Sequence, residues 1–321
     1  MQTPELLSDP VFHDENEART YLERTRWPEY VTCPLCGSLE KISQLGGESM
    51  GPGWWFCGAC KEKFTVRVGT VMERSHIALH KWLLAFRLMA SSKKGVSAHQ
   101  LHRTLGITYK SAWFLAHRIR LAMAPVNPPQ MGGEGKTLEA DETYIGRAGS
   151  HDPDSWIFNN EKGWVRKYSD EKMKVMTLVE RGGSARSFHV GTMNSRTAYE
   201  VFVLNAKRES VMNTDEATYY NRPGRRFERH DRVNHSAKEY VRGVAHTNTV
   251  EGYYSIFKRG MKGVYQHCGE KHLHRYLAEF DFRYSYRVKL GYDDATRTEL
   301  AIKGAEGKRL TYKISRSQKA A

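Results

Sequence analysis

Two aspartates and one glutamate stand where they could hold divalent cations against a phosphate. Asp141 interrupts the run Leu138-Glu139-Ala140-Asp141-Glu142-Thr143-Tyr144-Ile145, which otherwise reads as a strand, and Asp215 ends a second such run, Val211-Met212-Asn213-Thr214. A carboxylate placed in a sheet is costly unless a cation or several donors meet it. Glu251 falls at a helix start within His246–Arg259, and Lys258 follows about two turns later on the same face. Two strand aspartates and a helix glutamate can bind two divalent ions about 3.5–4 Å apart, an arrangement that serves phosphodiester cleavage and transfer without a covalent enzyme intermediate. Carboxylate and phosphate oxygens with retained waters suit Mg²⁺, or Mn²⁺ in its place. Lys258 is then placed to grip a phosphate. Glu139 and Glu142 read as structural or supporting acids.

A second group is made of sulfur. Cys33-Pro34-Leu35-Cys36 and Cys57-Gly58-Ala59-Cys60 form two CxxC turns with residues 37–56 between them. Each turn aims two thiolates at one point, so Cys33, Cys36, Cys57 and Cys60 complete the closed tetrahedral shell of a structural Zn²⁺. A redox CxxC is the alternative reading. A β module this small buries too little apolar surface to fold alone, and metal binding would supply much of its stability. Cys268 has no neighbour in sequence and reads as an ordinary thiol.

The elements that must position these groups follow from periodicity and breakers. A short helix is expected around Glu15–Glu23, closed by Trp27-Pro28. Short β-prone runs follow at Trp54–Phe56 and Phe64–Val68. From Leu79 to Ala124 the apolar period is helical. Within it Ser97 is placed to cap one helix, Gly106 to turn the chain and Thr108 to cap the next, which is the pattern of a helix-turn-helix; a plain helical hairpin is the alternative. The second of these helices carries Tyr109, Lys110, Ser111, His117, Arg118 and Arg120, donors suited to base edges and phosphates in a major groove. Its other side, Ala112, Leu115, Ala116 and Ile119, is expected to pack on the first helix.

Prolines and glycines between Pro125 and Gly135 mark a linker. Beyond it, strands are expected at Thr137–Ile145, Lys174–Glu180, Ser184–Val190 and Glu209–Thr214. A helix lies between the last two strands, and helices follow at about 248–260 and 270–286. That order is an α/β domain with a mixed sheet. The chain thus divides into a helical lead-in (1–30), a zinc ribbon (31–72), a helix-turn-helix module (76–124), a linker (125–136), an α/β domain (137–290) and a basic C-terminal tail (291–321), loosely held from Lys303. Residues 146–172 read as an insertion over the acids. The cationic stretch Arg222–Arg232 is either a DNA-backbone contact or a solvated face.

Bulk properties agree. The 321 residues carry a formal net charge of +14, which favours a polyanionic partner because each neutralised phosphate releases counterions. The longest apolar run ends at Arg87, far short of the roughly 20 residues of a membrane span. The first residues lack the basic end and apolar stretch of a signal peptide, so a cytoplasmic location with no membrane partner is expected.

The segments EADETYIG, NTDEA and HTNTVEGYYSIFKRG, behind a zinc ribbon and a helix-turn-helix, resemble the bacterial DDE insertion-sequence transposases of the ISXO-like group. The resemblance runs from about Thr32 to Arg287. It implies an RNase H-like core in the α/β domain, Asp141, Asp215 and Glu251 as the metal-binding triad, and Lys258 as the basic residue that follows the glutamate. It implies binding of terminal inverted repeats and of target DNA, 3′-end cleavage and strand transfer. Assembly as a homodimer or higher oligomer on DNA, at the nucleoid, is expected because two ends must be joined in one complex. Members of the group can carry Asn in the third position, so Asn248, one turn before Glu251, is the alternative. It also fits as an N-cap with Glu251 as its capping-box partner. A non-catalytic DNA-binding regulator and an RNase H-like nuclease without strand transfer are the other readings.

Overall fold

Asp14 accepts hydrogen bonds from the backbone of Asn16 and Glu17, and that cap starts helix α1 (Glu15–Arg26), which ends at Trp27. The structure is a computed structural model and describes residues 8–47, 50–146, 156–159, 163–166, 172–234 and 241–311. Three short strands, β1 (Ile42–Leu45), β2 (Trp54–Cys57) and β3 (Lys63–Phe64), form an antiparallel sheet in that order. The expected strand Phe64–Val68 is therefore only begun. From Thr65 the chain makes tight turns, and the Arg26 guanidinium fixes them by donating to the carbonyls of Val66 (2.8 Å) and Val68 (2.7 Å).

Helix α2 (Leu79–Ser91) has no cap of its own at Ala78. Glu15 supplies one from α1, accepting from Leu79 N at 2.6 Å. Helices α3 (Ala98–Leu105) and α4 (Tyr109–Met123) start as the sequence indicates, with Ser97 accepting from Gln100 N and Thr108 from Ser111 N. Between them Gly106 takes the left-handed conformation, φ 60°, which only glycine adopts at no steric cost.

The remaining elements begin with β4 (Thr137–Ile145), a hairpin of β5 (Trp156–Asn159) and β6 (Gly163–Arg166), β7 (Met173–Glu180), β8 (Ala185–Val190) and α5 (Ser195–Asn205). Then follow β9 (Val211–Thr214), the short α6 (Asn221–Gly224), β10 (Arg229–Arg232), a two-residue pair β11 (Val241–Arg242) and β12 (Ala245–His246), α7 (Asn248–Gly260), α8 (Leu273–Ser285) and α9 (Asp294–Lys303). The insertion expected at 146–172 lies outside the described residues apart from its ends and the β5–β6 hairpin.

The chain divides into two compact units, residues 127–285 forming one and residues 1–126 with 286–321 the other. In the first, a five-stranded sheet has the order β10-β9-β4-β7-β8. β9 runs parallel to both β4 and β10, while β7 is antiparallel to β4 and β8. Leu138 and Ala140 of β4, Met176 and Leu178 of β7 and Met212 of β9 pack on one face with Ala198, Val201 and Phe202 of α5. Val175 and Val179 pack on the other with Val250, Tyr254 and Phe257 of α7 and Leu273, Leu277 and Phe280 of α8. Alternation along each strand separates the two cores. A mixed sheet between helices in this order is an α/β fold consistent with an RNase H-like core.

The other unit corrects the expectation of a loosely held tail from Lys303, whose first residues are packed. Helix α9 packs on α1, α2 and α4. Ala301, Ile302 and Ala305 are buried, and the following backbone closes on the turn after the ribbon through Val71 N to Ala305 O (3.0 Å) and Gly307 N to Gly69 O (2.9 Å). Residues 312–321 lie outside the described residues. At Gly304 a Cβ would stand 2.3 Å from the carbonyl oxygen of Ala122 at the end of α4. Gly304→Ala must push two backbones apart, and a stability loss of about 1–3 kcal/mol is expected. Denaturant unfolding of the full chain measures it; an unchanged midpoint would show that this contact yields freely.

Candidate functional site

The parallel register of β4 with β9 pairs Thr137 with Val211 and Glu139 with Asn213. Asp141 follows Glu139 by two residues within β4, and Asp215 follows Asn213 by two, one residue past the end of β9. Oxygens of Asp141, Glu142 and Asp215 all lie within 4.8 Å of one another. Desolvation, then the charges of Glu142, Asp215 and Glu251, push Asp141 up to about 8 against the Glu142 backbone N–H, which donates to Asp141 Oδ1 at 2.8 Å. Asp215 is fixed by Ala217 N, which donates to its Oδ1 at 3.1 Å. Glu142 accepts from the hydroxyl of the fully buried Tyr220 at 2.9 Å. Carboxylates this crowded, with Asp141 held up by its neighbours, are a fit for a divalent cation, and an all-oxygen donor set is the chemistry of Mg²⁺ or Mn²⁺.

Glu251 lies in the first turn of α7, exposed, where the Thr247 hydroxyl donates to its Oε1 at 2.9 Å. It is near enough to act on Asp141 but is outside the tight group of three. Lys258 is exposed on the same helix, its ammonium 6.0 Å from the centre of the Tyr254 ring. Asn248 is the exposed first residue of α7 rather than its N-cap; the cap position belongs to Thr247. This corrects the capping-box expectation, and the cause is Glu139. Its carboxylate, on β4, already takes the N–H groups of Thr249 (2.8 Å) and Val250 (3.0 Å).

In the ribbon, Cys33 and Cys60 sulfurs are 3.7 Å apart, as are those of Cys36 and Cys57. A tetrahedral ion with Zn–S bonds of about 2.3 Å requires sulfurs about 3.8 Å apart. The four thiols therefore fit Zn²⁺ without rearrangement. The Cys60 backbone N–H, partly offset by desolvation, holds the Cys57 thiol down at about 7. Among the described residues Cys268 joins no such group.

On α4 the predicted contact residues separate. Tyr109, 45% exposed, stacks on His99 with ring centres 4.3 Å apart; Lys110 is exposed and Ser111 half-buried. His117, Arg118 and Arg120 are buried, which corrects their assignment to a DNA-facing surface. Arg118 donates to the Glu73 carbonyl at 3.1 Å and lies over the Phe114 ring. Helices α2, α3 and α9 all pack on α4, more cover than a two-helix motif would give it. Exposed cations missed at the sequence level are Arg103 on α3 and Lys93 and Lys94 before it; the outward side of α3's helical period marks Arg103.

No helix of the described residues is long and apolar enough to cross a membrane. Residues 132–285 match the ISXO2-like transposase domain, and residues 13–63 match the transposase zinc-ribbon domain. The chain is also similar to the uncharacterized protein in transposable element ISH50 of Halobacterium salinarum, 27% identical over 285 residues that cover 85% of this chain and 92% of that protein. With the four-sulfur ribbon, the mixed five-stranded sheet and the acids gathered within β4 and just past β9, these matches make the chain a member of the zinc-ribbon DDE insertion-sequence transposases of the ISXO2-like family.

Proposed function

We propose that the protein binds the terminal inverted repeats of its own insertion sequence, cleaves their 3′ ends and transfers them into target DNA, using Asp141, Asp215 and Glu251 as the metal-binding triad. The observation that carries this reading is the closeness of Asp141 on β4 and Asp215 just past β9, their carboxylate oxygens within 4.8 Å, with Glu251 near enough to raise the pKa of Asp141. Bound there, Mg²⁺ or Mn²⁺ ions neutralise charge on the attacking and leaving oxygens of an in-line displacement. The residues hold that reaction in place. Asp141 and Asp215 present carboxylate oxygens from a rigid sheet, Glu251 adds one from α7, and the Lys258 ammonium receives a phosphate oxygen.

The division of labour follows the chain. The zinc ribbon (31–72), with structural Zn²⁺ on its four cysteines, and the module at 76–124 recognise the DNA end, with Tyr109, Lys110 and Ser111 as contacts. Residues 137–285 perform the chemistry. Because two ends meet in one complex, the active form is at least a homodimer on DNA, at the nucleoid in the cytoplasm.

The test is Mg²⁺- or Mn²⁺-dependent cleavage and joining of DNA carrying the element's ends, comparing wild type with Glu251→Ala and Asn248→Ala. Joined product lost in Glu251→Ala and kept in Asn248→Ala supports this triad, and the reverse pattern moves the third position to Asn248. Cleavage without joining would leave a nuclease, and specific end binding with neither would leave a regulator.

A further inference from the structure

Glu139 is a fully buried carboxylate in the middle of β4. Its Oε1 accepts from Arg181 Nε at 2.6 Å and from the Thr249 hydroxyl at 2.8 Å, while Oε2 accepts from the backbone N–H groups of Thr249 and Val250. The Arg181 guanidinium continues outward, donating to the carbonyls of Val244 (2.8 Å) and His246 (2.9 Å), the two residues that flank Ala245 just ahead of α7. Asn213 on β9 donates to the same His246 carbonyl at 3.2 Å. His246 Nδ1 lies 3.2 Å from Glu139 Oε1 but is not aligned for a hydrogen bond.

This is more than a helix cap requires. The cap position of α7 already holds a residue able to cap, Thr247, but its hydroxyl donates to Glu251 and leaves the helix N–H groups to Glu139. Burying a carboxylate is costly until its ion pair and hydrogen bonds offset the lost hydration. A cap supplied from within the helix's own chain ties the helix end to itself. A cap supplied from β4 ties it to the sheet.

The tie has a defined register. Glu139 and Asp141 are on the same face of β4, about 6.7 Å apart along the strand. Helix α7 is fastened to β4 at both: the Thr249 and Val250 N–H groups at Glu139, and the Tyr254 hydroxyl at the Asp141 carbonyl oxygen, 2.6 Å away. Glu251 falls between the two fastenings. With both made, the helix can neither slide along the strand nor roll on it without breaking one.

We infer that Glu139, with Arg181, is a positioning residue that sets Glu251 over Asp141 and acts on metal binding through Glu251. This rests on the reading of Glu251 as a metal ligand. Carboxylates that orient a metal ligand typically change affinity by about 10–100-fold when removed.

The experiment is Mn²⁺ binding to the full-length, zinc-loaded protein by electron paramagnetic resonance, with thermal unfolding as a check of folding. The variants are Glu139→Gln, Glu251→Gln, the double variant and Arg181→Lys, which keeps the charge but loses the fork. The expected result is a drop of about tenfold or more in Mn²⁺ affinity for Glu139→Gln, a drop at least as large for Glu251→Gln, and no further drop in the double variant. Should Glu139→Gln not fold, Arg181→Lys, at the partly exposed end of the pair, is expected to lower affinity in the same direction and to be silent in the Glu251→Gln background. Wild-type affinity in a folded Glu139→Gln or Arg181→Lys, with Glu251→Gln weakened, overturns the inference and leaves the triad standing. Losses that add in the double variant overturn it as well, since they mark a general structural role. Wild-type affinity in Glu251→Gln overturns the triad reading and the inference together.

Discussion

Replacing Asp141 with Asn is expected to lower metal-dependent strand cleavage on the order of a thousandfold or more, yet to make the metal-free protein more stable at pH 8 than the wild type. The first half follows from removing a metal-holding charge from the proposed triad. The second follows from the cost of that charge. Asp141 titrates at about 8 in the folded protein, raised from 3.8 by desolvation and by Glu142, Asp215 and Glu251. A raised carboxylate pKa means that the folded state binds the proton more tightly than the unfolded state. Below about pH 4 both states are protonated and there is no penalty; the penalty grows as pH rises through the window from about 4 to 8 and is then constant. Its full size is on the order of several kcal/mol.

Thermal midpoints measured from pH 5 to 9 with a chelator of divalent ions weak enough to leave the ribbon its zinc would therefore fall for wild type and stay flatter for Asp141→Asn. Saturating Mg²⁺ should close the gap, because a cation that binds only the folded wild type stabilises it. Wild-type stability that is flat across this window, with and without Mg²⁺, would show that the acids do not repel one another as their spacing implies.

Loss of zinc is expected to have the other large effect. Metal binding to a four-thiolate site contributes about 10–16 kcal/mol to the folding of modules of this size, and β1–β3 have little else to hold them. The buried anchors around the sheet are few: Phe64, Val66 and the Trp27 ring, edge-on to Trp55 and Phe64. Cys33→Ser or a strong zinc chelator should melt the ribbon and abolish recognition of the element's ends. The sheet of residues 127–285 should stay folded and keep its Mn²⁺ affinity. Limited proteolysis reads both, with early cuts between residues 33 and 66 and a protected core beyond residue 127. Cys268→Ser is the control and should change nothing. A ribbon that resists proteolysis without zinc would assign its stability to packing against α1.

The same contrast between local and distant causes decides what the sequence makes visible. Ser97, Gly106 and Thr108 were legible because a cap or a left-handed turn depends on residues a few positions away. The four cysteines were legible because one ion's coordination geometry dictates their spacing. Strand β4 and the placement of Asp141 and Asp215 followed from alternation. By contrast, β10 is Arg-His-Asp-Arg, an edge strand with no apolar alternation to announce it. His117, Arg118 and Arg120 were misread because residue type suggests exposure, while α9 packs on α4 from the far end of the chain. Helix α9 is itself faint, showing few apolar residues in a basic stretch. The role of Glu139 was out of reach altogether, since its partners on α7 stand 110 and 111 residues away.

The return of α9 to the unit of residues 1–126 also orders events during synthesis. Residues 127–285 are a contiguous segment that can fold as soon as it has left the ribosome. The unit bearing the ribbon and the helix pair is interrupted by that segment and lacks one wall until residues 294–305 emerge. Nonsense fragments ending between α4 and α9 therefore carry Tyr109, Lys110 and Ser111, the proposed DNA contacts, yet not the helix that completes the core around α4. A gene interrupted just ahead of α9 is expected to yield no dominant-negative fragment that competes for the element's ends, so the uninterrupted copy acts without interference from such broken relatives.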